Sequence, residues 1–148
     1  MAKYTWIPVK EIEERELDLP EGHFGTVDEI IYDETLAQNV SDFVAKRNNQ
    51  PEGNADTWAS LTPQERGNIL YWIDRNLIRQ DTFNKNSYSK RWKGMFERYM
   101  QAMGTATYIN EWQFVAAMEL LGHEGKLMND GAGMKYKAHL RSDYVDPF

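Results

Sequence analysis

A chain of 148 residues with 41% hydrophobic side chains is long enough to bury one core, and the absence of cysteine excludes a disulfide scaffold and every thiolate site. Its formal net charge of −6 is uneven: residues 1–65 carry 14 acidic and 5 basic side chains, residues 66–148 carry 9 and 12, a split that fits one half facing a polyanion and the other repelling or mimicking it. No run approaches roughly 18 apolar residues and the N-terminus has no apolar targeting segment, so a cytoplasmic protein with no membrane contact is expected.

Tyr4–Val9 reads as a short extended segment, held to an edge position by Pro8. The acidic run Glu11–Glu16 is a solvated stretch that stops before Pro20 and Gly22. A helix is expected between Asp33 and Lys46, with Leu36, Val40, Phe43 and Val44 on one face. The turn formers from Asn48 to Asp56 then mark a boundary. This divides the chain into an acidic N-terminal region, 1–57, and a second domain, 58–148.

Beyond the boundary, Thr62-Pro-Gln-Glu65 combines a capping box with proline at the first helical position, and Ile69, Leu70, Ile73 and Leu77 form the buried face that follows. Arg79–Ser87 reads as a polar loop. From Ser89 to Met103, Trp92, Met95, Phe96, Tyr99, Met100 and Met103 recur at helical spacing. A short extended piece, Thr105–Ile109, leads to a compact helix with both ends marked. Asn110 and Gln113 form its capping box, and Gly122 suits its left-handed terminus. Lys126–Met128 and Met134–Leu140 are expected strands around the turn Asn129–Gly133. The fold class expected is α+β and mainly helical. It comprises a winged-helix-like C-terminal domain with a terminal β-hairpin, preceded by the acidic region.

Two surfaces stand out. The capped helix buries Phe114, Ala117, Met118 and Leu121, which leaves Glu111, Trp112, Val115 and Glu119 on its other face. That face is too apolar for water alone and reads as protein-binding, with Glu13 and Glu14 of the acidic run as rim charges. The second surface is basic. Lys90, Arg91, Lys93 and Arg98 on the middle helix, with Lys135 and Lys137 on the hairpin, form a candidate phosphate-binding patch. Three scattered histidines give no metal-ligand spacing, and no phosphate loop or nucleophile motif is present. No enzyme activity, cofactor or metal is expected. The expected partners are a host defence protein or duplex DNA, with a homodimer as a further option.

Arg79, Thr82, Asn84, Ser87 and Tyr88, then Phe96-Glu97, Tyr108-Ile109, Gln113-Phe114, Ala117-Met118 and Gly122, resemble a pattern in small uncharacterised proteins of phages and integrative elements from Gram-positive bacteria. A sparser resemblance links Tyr108-Ile109, Ala117, Glu119, Gly131, Gly133, Asp143 and Tyr144 to the C-terminal half of a type II-A anti-CRISPR family of streptococcal phages. Together they imply a mobile-element origin and an anti-defence role. The inhibitor expected on that basis binds a Cas9-type nuclease in the host cytoplasm; the alternative is a winged-helix DNA-binding regulatory or replication accessory protein.

Overall fold

Three helices of this chain begin where a side chain closes on its own backbone. The Glu29 amide donates to Thr26 Oγ1 at 3.2 Å and the Thr26 amide to Glu29 Oε1 at 3.0 Å, which opens α1, Val27–Tyr32. Thr62 and Glu65 make the same exchange at 3.1 and 2.9 Å to open α3, Pro63–Asn76. Asn110 and Gln113 do so at 2.9 Å in both directions for α5, Glu111–Leu120. Between them, Asp33 Oδ1 accepts the amides of Thr35 and Leu36 at the head of α2, Glu34–Arg47. Each cap satisfies amides that the first turn leaves without an intrahelical partner. The helix α4, Ser89–Ala102, buries Trp92, Phe96 and Met100 along one stripe.

The computed structural model describes residues 16–19, 22–47, 57–128 and 133–147. Within them, β1 (Glu16–Leu19) and β2 (Gly22–Thr26) form an antiparallel hairpin ahead of α1. A single 3-10 turn, Trp58–Ser60, precedes α3. The strand β3, Leu77–Arg79, follows α3 directly. After α5 come β4 (Gly125–Leu127), β5 (Met134–Tyr136) and β6 (Ala138–Leu140). β4 pairs antiparallel with β5, and β3 antiparallel with β6. Residues 134–140 thus run as one bent segment whose first half lies against β4 and whose second half lies against β3.

The class is α+β, as expected, but two elements differ from the sequence reading. Thr105–Ile109 is not a strand. The Thr105 amide donates to the Met100 carbonyl at 3.0 Å, and at the other end side chains take over, with the Ile109 amide donating to Glu97 Oε2 at 2.9 Å and Lys93 Nζ donating to the Ile109 carbonyl at 3.1 Å. The strand between helices lies instead at Leu77–Arg79, where α3 runs straight into extended chain beside β6. The hairpin β1–β2 and the short α1 were also not anticipated. The expected extended segment Tyr4–Val9, the boundary stretch 48–56 and the tip of the C-terminal hairpin lie outside the described residues.

The division at residue 57 does not separate two cores. Val27, Ile30, Ile31, Ala37, Val40 and Val44 belong to the same buried cluster as Trp58, Ile69, Trp72, Phe96, Phe114 and Tyr136. Trp72 is the hub of its aromatic part, in tilted or edge contact with Phe96 at 6.2 Å, Phe114 at 6.3 Å and Tyr144 at 6.1 Å between ring centroids. Arg66, fully buried, ties the two parts together. Its guanidinium donates to the carbonyls of Ile31 (2.6 Å), Ala59 (3.2 Å) and Trp58 (3.3 Å), and to both carboxylate oxygens of Glu34 (2.7 and 2.8 Å). A planar fork with five donors is the one side chain that can serve so many acceptors on three elements at once.

α5 lies at the centre. It contacts α2, α3, α4, β1 and the 3-10 turn, and Gln113 through Leu120 are all buried. A helix apolar on every side is stable only when covered on every side.

Candidate nucleic-acid interface

Burial of α5 corrects the protein-binding surface expected on it. Val115 is 0% and Glu119 2% exposed, and Trp112 is half-buried against the core. Glu111 is half-buried and accepts a hydrogen bond from Ser89 Oγ. The sequence shows a helix with two apolar faces, and α2, β1 and the 3-10 turn join α3 and α4 in packing on it. Glu13 and Glu14 lie outside the described residues.

The same helix anchors the C-terminal hairpin. Ser89 Oγ, itself fully buried, donates to Glu111 and accepts the Met134 amide at 2.9 Å, so the starts of α4, α5 and β5 meet at one hydroxyl. Gly133 fits there because a Cβ would come within 2.8 Å of Ser89 Oγ and 3.0 Å of Glu111 Oε2. Burial holds the Glu111 carboxyl above the usual carboxylate range, against the lowering effects of the Ser89 hydrogen bond and of the charges on Lys93 and Lys90.

On the hairpin, register places Lys126 directly opposite Lys135. Lys126 Nζ lies 4.5 Å and Lys137 Nζ 5.2 Å from the centroid of the Phe83 ring, and Lys137 also pairs with Glu124 at 3.1 Å. Phe83 is held there by the loop between β3 and α4. The Asn84 amide donates to the Tyr136 carbonyl (3.0 Å), and its side-chain Nδ2 donates to the Ala138 carbonyl (3.1 Å). Asn84 Oδ1 accepts the amides of Asn86 and Ser87, which closes the turn. The loop is thereby stitched along residues 136–138. An aromatic face that draws two ammonium groups to one place is a cation–π arrangement. Phe83 was not anticipated; its one sequence signal is an aromatic residue in an otherwise polar loop.

The basic residues of α4 divide. Lys90 and Arg91 are exposed, and Lys90 is near enough to Glu111 for its charge to act on that carboxyl. Among the described residues, Lys85, Lys90, Arg91, Lys126 and Lys135 enter no ion pair. Lys93 is instead consumed internally, pairing with Glu97 at 3.0 Å and donating to the Ile109 carbonyl, with 18% of its side chain exposed. Arg98 donates through Nε to both oxygens of Asp146 at 3.0 Å. These two therefore leave the candidate patch. Trp92, 1% exposed, belongs to the core.

An open cleft of about 410 Å³ lies between the heads of α3 and α5, lined by Ser60, Glu65, Tyr108, Asn110 and Gln113 among others. Its polar groups already serve the fold. Glu65, Asn110 and Gln113 close capping boxes, and Gln113 Nε2 donates to the Thr57 carbonyl and Ser60 Oγ. Among the described residues no cluster of His, Asp or Glu is arranged to hold a metal ion, and no helix is long and apolar enough to cross a membrane.

His123, 5% exposed beside the end of α5, has no hydrogen-bond partner for Nδ1 among the described residues. Burial, aided by the charge of Arg79, lowers its pKa to about 4. The unfolded chain takes up this proton near the ordinary value of about 6.5, before the folded chain does, so stability falls as pH drops from there towards 4. The loss is on the order of 3 kcal/mol. Urea titrations at pH 7 and pH 4.5 should record it, and His123→Phe should flatten the dependence. An unchanged slope in that variant would assign the effect to other groups.

Comparison with known protein families, curated proteins and solved structures returns no match.

Proposed function

We propose that this chain is a non-enzymatic nucleic-acid-binding module of the winged-helix type, acting in the bacterial cytoplasm, whose hairpin β4–β5 holds the phosphate backbone of duplex DNA. Residues 63–140 follow the order helix, strand, helix, helix and then three strands, with the first strand β3 paired to the last, β6. That order and pairing fit a winged helix, with β4–β5 as its wing. The observation that carries the functional reading is the opposed pair Lys126 and Lys135. Like charges directly across a strand pair destabilise it, and a phosphate backbone lying over them reverses the sign of that interaction. Exposed Lys90 and Arg91 add to the same field. The anti-defence inhibitor expected from resemblance receives no support from α5, since its Val115 and Glu119 are buried.

Fluorescence anisotropy with a labelled duplex tests this. Affinity should fall linearly with salt on logarithmic axes, with a slope of about −0.9 per phosphate neutralised. Lys126→Ala with Lys135→Ala should make the slope shallower by about 2, while Arg98→Ala leaves it unchanged. The absence of binding at micromolar protein and low salt would overturn the reading. A stable complex with a guide-loaded Cas9-type nuclease, formed without any affinity for DNA, would replace it with the inhibitor.

A further inference from the structure

We infer that the interface reads no base edges, so that the duplex is bound by its backbone without regard to sequence; this rests on the nucleic-acid reading above. In a winged helix the helix before the wing supplies sequence recognition, through side chains near its N-terminus that reach the major groove. Here that helix is α5, and the polar side chains at its start, Asn110, Glu111 and Gln113, are each engaged within the fold. Asn110 Oδ1 accepts the Gln113 amide at 2.9 Å. Glu111 accepts from Ser89 Oγ. Gln113 Oε1 accepts the Asn110 amide at 2.9 Å, and its Nε2 donates to the Thr57 carbonyl at 3.0 Å and to Ser60 Oγ at 3.2 Å. Adenine recognition by glutamine needs both ends of the amide free, and guanine recognition needs an arginine or lysine, which α5 does not contain.

Geometry closes the same route. The residues from Gln113 to Leu120 are buried, and α2, α3, α4, β1 and the 3-10 turn all pack on the helix. Among the described residues the cations that enter no ion pair lie on the wing (Lys126, Lys135), at the head of α4 (Lys90, Arg91) and in the loop before it (Lys85), all outside the helix that would enter the groove, and a cation over a phosphate carries no base information. Phe83 strengthens that bias by drawing Lys126 and Lys137 to one spot.

The test is selection from a random-sequence duplex library by repeated capture on the full chain, followed by competition between unrelated duplexes. The expected result is retention of the library with no motif enriched, and affinities within about threefold of one another. Specific sites are separated from non-specific ones by about a thousandfold or more. Lys126→Ala with Lys135→Ala should weaken retention of all sequences alike. Enrichment of a motif with duplexes still retained would overturn this inference and leave the nucleic-acid reading standing. Failure to retain any duplex would instead overturn the reading on which it rests.

Discussion

Arg66→Ala should lower the stability of the chain by about 4 kcal/mol, because the variant leaves buried carbonyls without donors. The Ile31 carbonyl loses its bond to Nη1 and the Ala59 carbonyl its bond to Nη2, whereas the Trp58 carbonyl keeps the Leu61 amide at 3.2 Å. Glu34 contributes little to the loss: its side chain is 64% exposed and returns to water. A loss of this size corresponds to a melting temperature lower by on the order of 10 °C. Arg66→Met keeps most of the side-chain volume, so its deficit separates unsatisfied carbonyls from lost packing. Arg66→Lys should recover only part, since an ammonium cannot span acceptors on three elements. Thermal and urea unfolding of the three variants would check the ranking. A loss below about 1 kcal/mol in Arg66→Ala would mean that water replaces the guanidinium.

Residues 58–148 expressed alone should show no cooperative unfolding transition. Removing the preceding chain takes Val27, Ile30, Ile31, Ala37, Val40 and Val44 out of the core and exposes the face of α5 under α2. At about 1.5–3 kcal/mol for each large apolar side chain, the deficit is about 10 kcal/mol. Whole domains of this size are stable by about 5–15 kcal/mol, so little or nothing remains. Arg66 would in addition lose its bonds to Ile31 and Glu34. Calorimetry and circular dichroism of the fragment beside the full chain decide the matter. A sharp transition near that of the full chain would restore the boundary that the turn formers at 48–56 suggest.

The sequence by itself determined what depends on neighbours three or four positions apart. The capping pairs Thr62/Glu65 and Asn110/Gln113 place two helix starts, because each is a bond within one turn of chain. Gly122, with φ +81°, marks the end of α5 for the same local reason. The stripe on α4 is legible since its opposite face is polar and leaves one way to bury it.

Tertiary structure decided everything that turns on a distant partner. A helix apolar on two sides says that both will be covered and not by what; for α5 the cover includes α2, more than sixty residues earlier in the chain. β3 is three residues long, too short for a periodic signal, and exists because β6 offers it a ladder. Lys93 and Arg98 look as available in sequence as Lys90 and Arg91, yet Ile109 and Asp146 engage them. Register alone sets Lys126 against Lys135, and the Asn84 bonds alone bring Phe83 to them. Charge is written in the sequence, but whether it faces solvent, a carboxylate or another lysine is settled when the strands and helices meet.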